Sequence, residues 1–243
     1  MAVLALAGCG SRHTAAPPPQ HVLGTTVQRC AAGSLHALGS AARAYVAVAS
    51  NGAVAYRTPG GVAEARFGKK NVNGYQTLFG VVGMVVDGNC APRWYRVQLP
   101  IRPNGATGYV EASAVTLAAV DTRIEVDLSQ RRLTFFQDGR PTLTATVAVG
   151  SPATPTPTGT YYVNQRLVPA DPNGPYGPGA IGISAFSNVL TGWAQGGPIA
   201  IHGTDEPWSI GKDVSNGCVR LPNTTLSKLF KLAVAGTPVI IHQ

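Results

Sequence analysis

Glycine and proline divide this sequence into short apolar runs, and this division limits the folds open to the chain. With 29 Gly and 19 Pro among its 243 residues, the sequence has no heptad repeat and no Leu-rich helical stretch, which argues against a coiled coil or a helical bundle. No apolar run approaches the ~20 residues that a membrane-spanning helix needs. Because 44% of the residues are hydrophobic, the short runs can still bury a sizeable core, and we predict a mainly β protein.

Residues 43–118 have the pattern of a small β domain. Apolar runs alternate here with turn sequences such as Asn51-Gly52, which is a strong hairpin signal. The predicted strands are residues 45–48, 79–86, 94–99, 108–110 and 115–117. Short strands joined by such turns are typical of a small barrel. The stretch 94–110 also resembles bacterial SH3-like domains, and we therefore expect a small SH3-like β-barrel.

Residues 122–243 are also mostly β and contain one clear helical segment. Apolar and polar residues alternate strictly over 124–128, which predicts a half-buried strand. The other predicted strands are residues 133–137, 142–149 and 237–241. From Leu226 to Ala233 apolar residues recur at helical spacing, and Gly236 ends the pattern. We predict a second β domain with one or two short helices.

Charged residues are sparse and form no dense cluster. The 19 Lys and Arg exceed the 11 Asp and Glu, for a net charge of +8, but the basic residues are not concentrated as in nucleic-acid-binding proteins. The scattered carboxylates argue against a Mg or Ca site, and no Cys or His pair has zinc spacing. We expect no metal, no cofactor and no nucleic-acid partner. The basic excess fits anionic surroundings such as cell-wall polymers.

Residues 1–42 resemble a bacterial lipoprotein signal followed by a tether. Leu6-Ala7-Gly8-Cys9 has the small residues and the cysteine of a lipobox, although the apolar stretch before it is short and has no basic segment. The Pro-rich stretch 15–20 is typical of a semi-rigid spacer. We expect a lipid on Cys9 that anchors an exported protein of the cell envelope to the membrane. The alternative is an apolar start in which Cys9 is incidental.

The stretch 199–221 carries the candidate chemistry. An apolar strand ends at His202, and Cys218 follows sixteen residues later in a turn with Gly217. A cysteine nucleophile needs a base or cation beside it, and histidine is suited to that role. The turn amides of Gly217 and Cys218 can face a developing oxyanion. The spacing alone is weak support, because a buried cysteine is more often inert than catalytic.

The complete pattern is similar to the catalytic motif of L,D-transpeptidases with the YkuD-type fold. The residues that carry the resemblance are His202-Gly203-Thr204, Ser209-Ile210-Gly211 and Ser215-Asn216-Gly217-Cys218-Val219-Arg220-Leu221. Residues 154–161 and 236–239 also resemble parts of this family, so the likeness covers about residues 122–243. It implies a YkuD-type β-sandwich. The SH3-like first region is similar to accessory domains of actinobacterial members.

The resemblance also implies roles for individual residues. Cys218 becomes the nucleophile, and His202 becomes its base and proton carrier. Many members have His where this chain has Asn216, so the base role falls on His202 alone. Ser215 and Gly217 become loop-shaping or oxyanion-side positions, and Arg220 becomes a candidate for holding the loop or a substrate carboxylate. Together with Gly203 and Asn216, these residues form the implied substrate-binding set. With His202 adjacent, we expect a lowered pKa of the Cys218 thiol.

The implied reaction is acyl transfer on peptidoglycan stem peptides. The thiolate of Cys218 attacks the carbonyl of the third stem residue, the terminal D-Ala leaves, and a thioester remains. An amine of a neighbouring stem then resolves the thioester and forms a crosslink between third-position residues. With water as acceptor the enzyme is an L,D-carboxypeptidase, and a third alternative is a non-catalytic cell-wall-binding protein. Carbapenem-type β-lactams are expected inhibitors.

The remaining cysteines and the aromatic residues near the motif lead to two smaller expectations. If Cys9 carries lipid and Cys218 is the nucleophile, Cys30 and Cys90 are left to pair, and an exported location permits that disulfide; the alternative is two buried free thiols. Four aromatic residues can line a groove or pack in the core, with the core favoured for Phe186. They are Tyr176, Phe186, Trp193 and Trp208.

Overall fold

The computed structural model describes residues 30–243. The proposed lipid site at Cys9 and the Pro-rich tether lie outside the described residues. The predicted mainly β architecture is confirmed, since most elements are strands arranged in two large sheets. Within residues 30–243, no helix is both long enough and apolar enough to cross a membrane.

The first region folds into an eight-stranded sheet whose main path runs β4-β3-β7-β6-β5-β2-β8, with β1 paired to β5. All of its pairings are antiparallel. Its strands are β1 Leu35–Ala37, β2 Ala44–Ala49, β3 Ala53–Tyr56, β4 Ala63–Phe67, β5 Leu78–Val86, β6 Pro92–Gln98, β7 Thr107–Glu111 and β8 Val115–Val120. Alternating side chains point inward and form a core of fully buried residues such as Ala47, Phe79 and Val97.

The predicted disulfide is confirmed. Cys30 is bonded to Cys90, with their Cα atoms 5.1 Å apart. The bond ties the first described residue to the turn between β5 and β6. Strand β1 pairs with β5 next to it, so the segment before the first predicted strand is part of this sheet.

The second region forms another eight-stranded sheet, in the order β11-β10-β9-β18-β13-β14-β15-β17, and the short strands β12 and β16 pair beside it. Its elements are β9 Thr122–Asp127, β10 Arg132–Gln137, β11 Arg140–Thr146, β12 Val149–Gly150, β13 Gly159–Leu167, β14 Ala180–Phe186, β15 Pro198–His202, β16 Asp213–Ser215, β17 Val219–Arg220, α1 Asn223–Leu232 and β18 Pro238–His242. The last strand, β18, lies in the middle of the sheet between β9 and β13.

The predicted helix is confirmed as α1. It begins immediately after Pro222, whose fixed φ suits a helix start. Leu226 and Leu229 are fully buried and pack with Ala233 in the core of the second sheet. The apolar stripe is therefore a packing surface, and it fixes the segment that follows β17.

The two regions share a small apolar core. Val46, Leu78 and Val120 of the first sheet pack against Tyr162 of β13. The buried Tyr162 hydroxyl donates a hydrogen bond to the Leu78 carbonyl at 3.0 Å, so its polar end is satisfied as burial requires. This contact joins the back of the second sheet to the first region.

Candidate active site

Two parallel strands place the candidate residues on one face of the second sheet. In the β15–β17 pair, Ile201 lies opposite Val219 and His202 lies opposite Arg220. Side chains alternate along a strand, and Ile201 and Val219 are completely buried in the core. The side chains of His202, Arg220 and the preceding Cys218 therefore share the opposite face, at the edge of the sheet.

The turn that carries Cys218 is held by Ser215. The buried Ser215 hydroxyl donates to the Cys218 carbonyl at 2.6 Å and accepts from the Gly217 amide at 3.1 Å. Gly217 has a φ of +111°, a conformation that side-chain-bearing residues rarely adopt. The Thr154 hydroxyl donates to the Ser215 carbonyl at 3.0 Å. Ser215 and Gly217 therefore shape the loop that presents the thiol, and the Gly217 amide is already used in that loop.

His202 is buried, with 5% of its surface exposed. Its Nδ1 lies 2.5 Å from the Gly203 carbonyl; because a carbonyl can only accept, Nδ1 carries the proton and the other ring nitrogen is the basic one. The Tyr176 ring meets the imidazole edge to face, with ring centroids 5.0 Å apart. Burial lowers the pKa of His202 to about 4, and the charge of Arg220 acts in the same direction. His202 is therefore a neutral base at neutral pH.

Burial also governs the pKa of the Cys218 thiol, and here the sequence-based expectation is wrong. Burial raises the pKa of the Cys218 thiol, while a backbone hydrogen bond from Ala200 and the positive charge of Arg220 oppose that rise. A neutral His202 supplies no cation to stabilise a thiolate, so the lowered thiol pKa that we expected does not arise. At neutral pH the two candidate catalytic groups form a neutral pair.

Arg220 is paired with Glu206, which the sequence analysis did not single out. The Arg220 Nη1 and a Glu206 carboxylate oxygen form a salt bridge, with the Arg220 side chain largely buried. Glu206 precedes a short helical turn, Pro207–Ser209, in the loop between β15 and β16. Arg220 was a candidate for holding the loop or a substrate carboxylate. The geometry shows the first of these roles, because the salt bridge joins this loop to β17.

Gly203 lies where three segments meet. Its amide donates to the Gly179 carbonyl at 3.3 Å, and the Asn223 side chain accepts from the neighbouring Thr204 amide at 2.8 Å. The loop between β13 and β14, which contains Gly177, also approaches at this point. The Asn223 contact, which sequence reasoning missed, connects the start of α1 to the residue after the histidine.

We expect Gly203→Ala to lower the free energy of unfolding by about 2 kcal/mol, since overpacking a filled site typically costs ~1–3 kcal/mol. An added Cβ would overlap the Asn223 Oδ1 and lie 2.9 Å from Pro178 Cδ, so it breaks the bond to Thr204. Urea denaturation measures the change. Gly88→Ala is the matched control, because a Cβ at that position meets no atom within 4 Å. Equal stability of the two variants would refute the expectation.

A cleft of about 460 Å³ opens over the site. Cys218 and Asn216 line it together with the half-exposed rings of Tyr176 and Trp193, so these two aromatic residues lie where a groove was expected. Trp208 is placed differently: its ring lies under the Lys212 ammonium at 5.1 Å and does not line the cleft. Among residues 30–243, no three His, Cys, Asp or Glu side chains come together as a metal site would need.

Residues 121–241 match the family model of the L,D-transpeptidase catalytic domain YkuD. The chain is 36% identical over 120 residues to YkuD of Bacillus subtilis (strain 168), named as an L,D-transpeptidase, with 49% of this chain and 65% of that protein covered.

The chain is also similar to a second curated relative and to a solved structure. YcfS of Escherichia coli (strain K12), also named as an L,D-transpeptidase, is 33% identical over 111 residues, with 42% of this chain and 32% of that protein covered. A crystal structure of a mutant Enterococcus faecium L,D-transpeptidase is 29% identical, with 51% of this chain and 50% of that chain covered and a TM-score of 0.40. The chain thus spans less than two thirds of the length of these relatives.

Proposed function

We propose that the protein crosslinks third-position residues of peptidoglycan stem peptides through a thioester on Cys218, because residues 121–241 match the family model of the L,D-transpeptidase catalytic domain YkuD. The observation that carries the proposal is the placement of Cys218 and His202 on one face of paired strands, with the thiol lining the cleft. The neutral imidazole is a base ready to accept the thiol proton.

In the first half-reaction, the Cys218 Sγ bonds to the carbonyl carbon of the third stem residue while its proton passes to the free ring nitrogen of His202. Because both groups are neutral at rest, this proton transfer accompanies the attack. The C–N bond to the terminal D-Ala then breaks, and the imidazolium returns the proton to the departing amine. The products are free D-Ala and a thioester.

In the second half-reaction, a side-chain amine of a neighbouring stem attacks the thioester carbon and gives a proton to His202. The C–S bond breaks, and the proton returns to Sγ. Loss of the imidazolium charge at each turnover is favoured by burial, which lowers the pKa of His202. Water in place of the amine would complete the same cycle as hydrolysis.

The surroundings of the enzyme are part of the same proposal. We propose that the protein is exported and anchored by a lipid on Cys9, that its first region is an SH3-like barrel, and that carbapenem-type β-lactams acylate Cys218. The Cys30–Cys90 disulfide supports the exported location, because such bonds persist in oxidising compartments. The all-antiparallel pairing of the strands in the first region supports the SH3-like assignment.

The deciding experiment incubates the purified protein with a disaccharide-tetrapeptide and follows the products by mass spectrometry. Crosslinked dimer with release of D-Ala supports the transpeptidase. Tripeptide alone would assign the chain as an L,D-carboxypeptidase, and no turnover would refute both enzymatic functions. A carbapenem added in parallel should increase the mass of the peptide that contains Cys218.

A further inference from the structure

One wall of the cleft is a loop without extended secondary structure. It joins β14 to β15 over residues 187–197 and contains only the short helical turn Ala194–Gly196. Leu190, Trp193 and Gln195 of this loop line the same cleft as Cys218. Because it forms no strand ladder of its own, the position of this wall depends on what the loop is bonded to.

The first domain holds both ends of this loop through Arg102. Its Nη2 donates to the Ser187 carbonyl at 2.6 Å and to the Gly196 carbonyl at 2.6 Å. The guanidinium also lies over the Phe186 ring, 5.4 Å from its centroid. One side chain thus ties together the start and the end of the loop, and hydrogen bonds from a charged donor are stronger than neutral ones.

Asn104, two residues further on, fixes the start of the loop. Its Nδ2 donates to the Phe186 carbonyl at 2.7 Å, and its Oδ1 accepts from the Phe186 amide at 2.9 Å. The same Nδ2 is 3.1 Å from Oδ1 of Asn188. The amide side chain therefore pairs with Phe186 as a neighbouring strand would.

Asn73 extends the contact into the cleft itself. It exchanges hydrogen bonds with the Gln195 side chain at 3.3 and 3.0 Å, and its Nδ2 donates to Gln165 at 3.0 Å. Asn73 also lines the cleft that contains Cys218. The first domain is consequently part of the cleft and is not only attached to the back of the catalytic domain.

We propose that Arg102 and Asn104 are positioning residues that hold the 187–197 wall in the conformation that receives the stem peptide. The proposal deepens the transpeptidase assignment and rests on it. We call the hydrogen bonds from Arg102 and Asn104 to this segment the clamp. If the conformation that the clamp holds binds the substrate, releasing the clamp lowers the population of that conformation. The apparent affinity then falls by the same factor. Bound substrate restores the wall, so KM changes more than kcat.

The test compares Asn104→Asp and Arg102→Ala with the matched controls Asn51→Asp and Arg57→Ala, which alter exposed residues of the same domain. Asn104→Asp keeps the acceptor for the Phe186 amide but turns the donor into an oxygen that faces the Phe186 carbonyl. Hydrogen exchange followed by mass spectrometry reports on residues 187–197, and steady-state kinetics with the disaccharide-tetrapeptide give KM and kcat.

We expect exchange in residues 187–197 to accelerate by about tenfold in both clamp variants, as the loss of one or two hydrogen bonds predicts. Exchange in β13 should stay unchanged, which shows that the domain remains folded. KM should rise by about tenfold with kcat changed less than about threefold, and both controls should match the parent protein. Alkylation of Cys218 by iodoacetamide should change little, because the thiol turn is not part of the clamp.

Unchanged exchange in residues 187–197 would overturn the clamp, as would a fall in the apparent kcat with KM unchanged, which is the result that a general loss of folded protein gives. The exchange readout does not need turnover. If the parent protein is inactive, the transpeptidase proposal fails, while the exchange data still decide whether the first domain fixes this loop.

Discussion

Replacement of Cys218 by alanine is expected to abolish crosslink formation, with a loss of at least about a thousandfold in kcat, as is typical when a covalent nucleophile is removed. No other free thiol occurs among residues 30–243, since Cys30 and Cys90 are joined. The measurement is the rate of D-Ala release together with the intact mass of the protein. The parent protein should gain the mass of the acyl group when no acceptor is present, and the variant should not.

Cys218→Ser separates the chemistry of the thiol from its shape. The hydroxyl fits the same turn but is a poorer nucleophile than a thiol, and a base with a pKa near 4 deprotonates it inefficiently, so we expect this variant to be almost as inactive as Cys218→Ala. Both variants should unfold at the same urea concentration as the parent, within error. Peptidoglycan binding and a cellular effect that persist unchanged in Cys218→Ala would refute the enzyme assignment and favour the non-catalytic wall-binding alternative.

Local sequence patterns predicted many individual elements of this fold. The helix that contains Leu226 and Leu229 was visible because its apolar spacing, its preceding proline and the later Gly236 act within a short segment. Strands β9 and β10 were visible for the same reason, through alternation and a polar turn between them. The order of strands in the sheet depends on contacts between distant segments, so the central position of β18 was not predictable from any local pattern.

The candidate site was predicted to a similar extent. The motif identified Cys218 and His202 because both lie within one short stretch, and the structure places them on one face. Glu206 was missed although it lies in the same stretch: it is one of three carboxylates between His202 and Arg220, and no spacing signal distinguishes the one that forms a salt bridge from a solvated charge. The hydrogen bonds from Arg102 and Asn104 were also not predictable from local patterns, because they join residues more than eighty positions apart in the sequence.

The error about the Cys218 pKa has a physical cause that sequence patterns do not contain. Whether a Cys–His pair is charged or neutral depends on how far burial lowers the pKa of the histidine. His202 is covered by Tyr176 and lies beside Arg220, and both a covered position and a nearby positive charge disfavour imidazolium. The positive charge of Arg220 stabilises a thiolate on Cys218 and disfavours the protonated form of His202. It therefore favours proton release from the imidazolium in each half-reaction.

His202→Gln is expected to lower kcat by about a hundredfold to ten-thousandfold at pH 7, the range typical for loss of a general base. The pH dependence is the more specific test. With a pKa of about 4 for His202, kcat/KM of the parent should be retained down to about pH 5 and fall below pH 4 as the base becomes protonated. The variant relies on hydroxide to form the thiolate, so its kcat/KM should rise by about tenfold per pH unit below the pKa of the thiol.

His202 should also make the free energy of unfolding depend on pH, and the sign of that dependence follows from its lowered pKa. The unfolded chain binds a proton at His202 near pH 6.5, whereas the folded protein binds it only near pH 4. Between these values the unfolded state carries more protons, so acidification from pH 7 to pH 4 should remove up to about 3 kcal/mol of unfolding free energy through this residue. Urea denaturation at both pH values should show a smaller loss for His202→Gln than for the parent, and His242→Gln, at an exposed site, is the control. Parallel losses in His202→Gln and the parent would mean that His202 is not held neutral, and the neutral-pair mechanism would then fail together with the predicted pH profile.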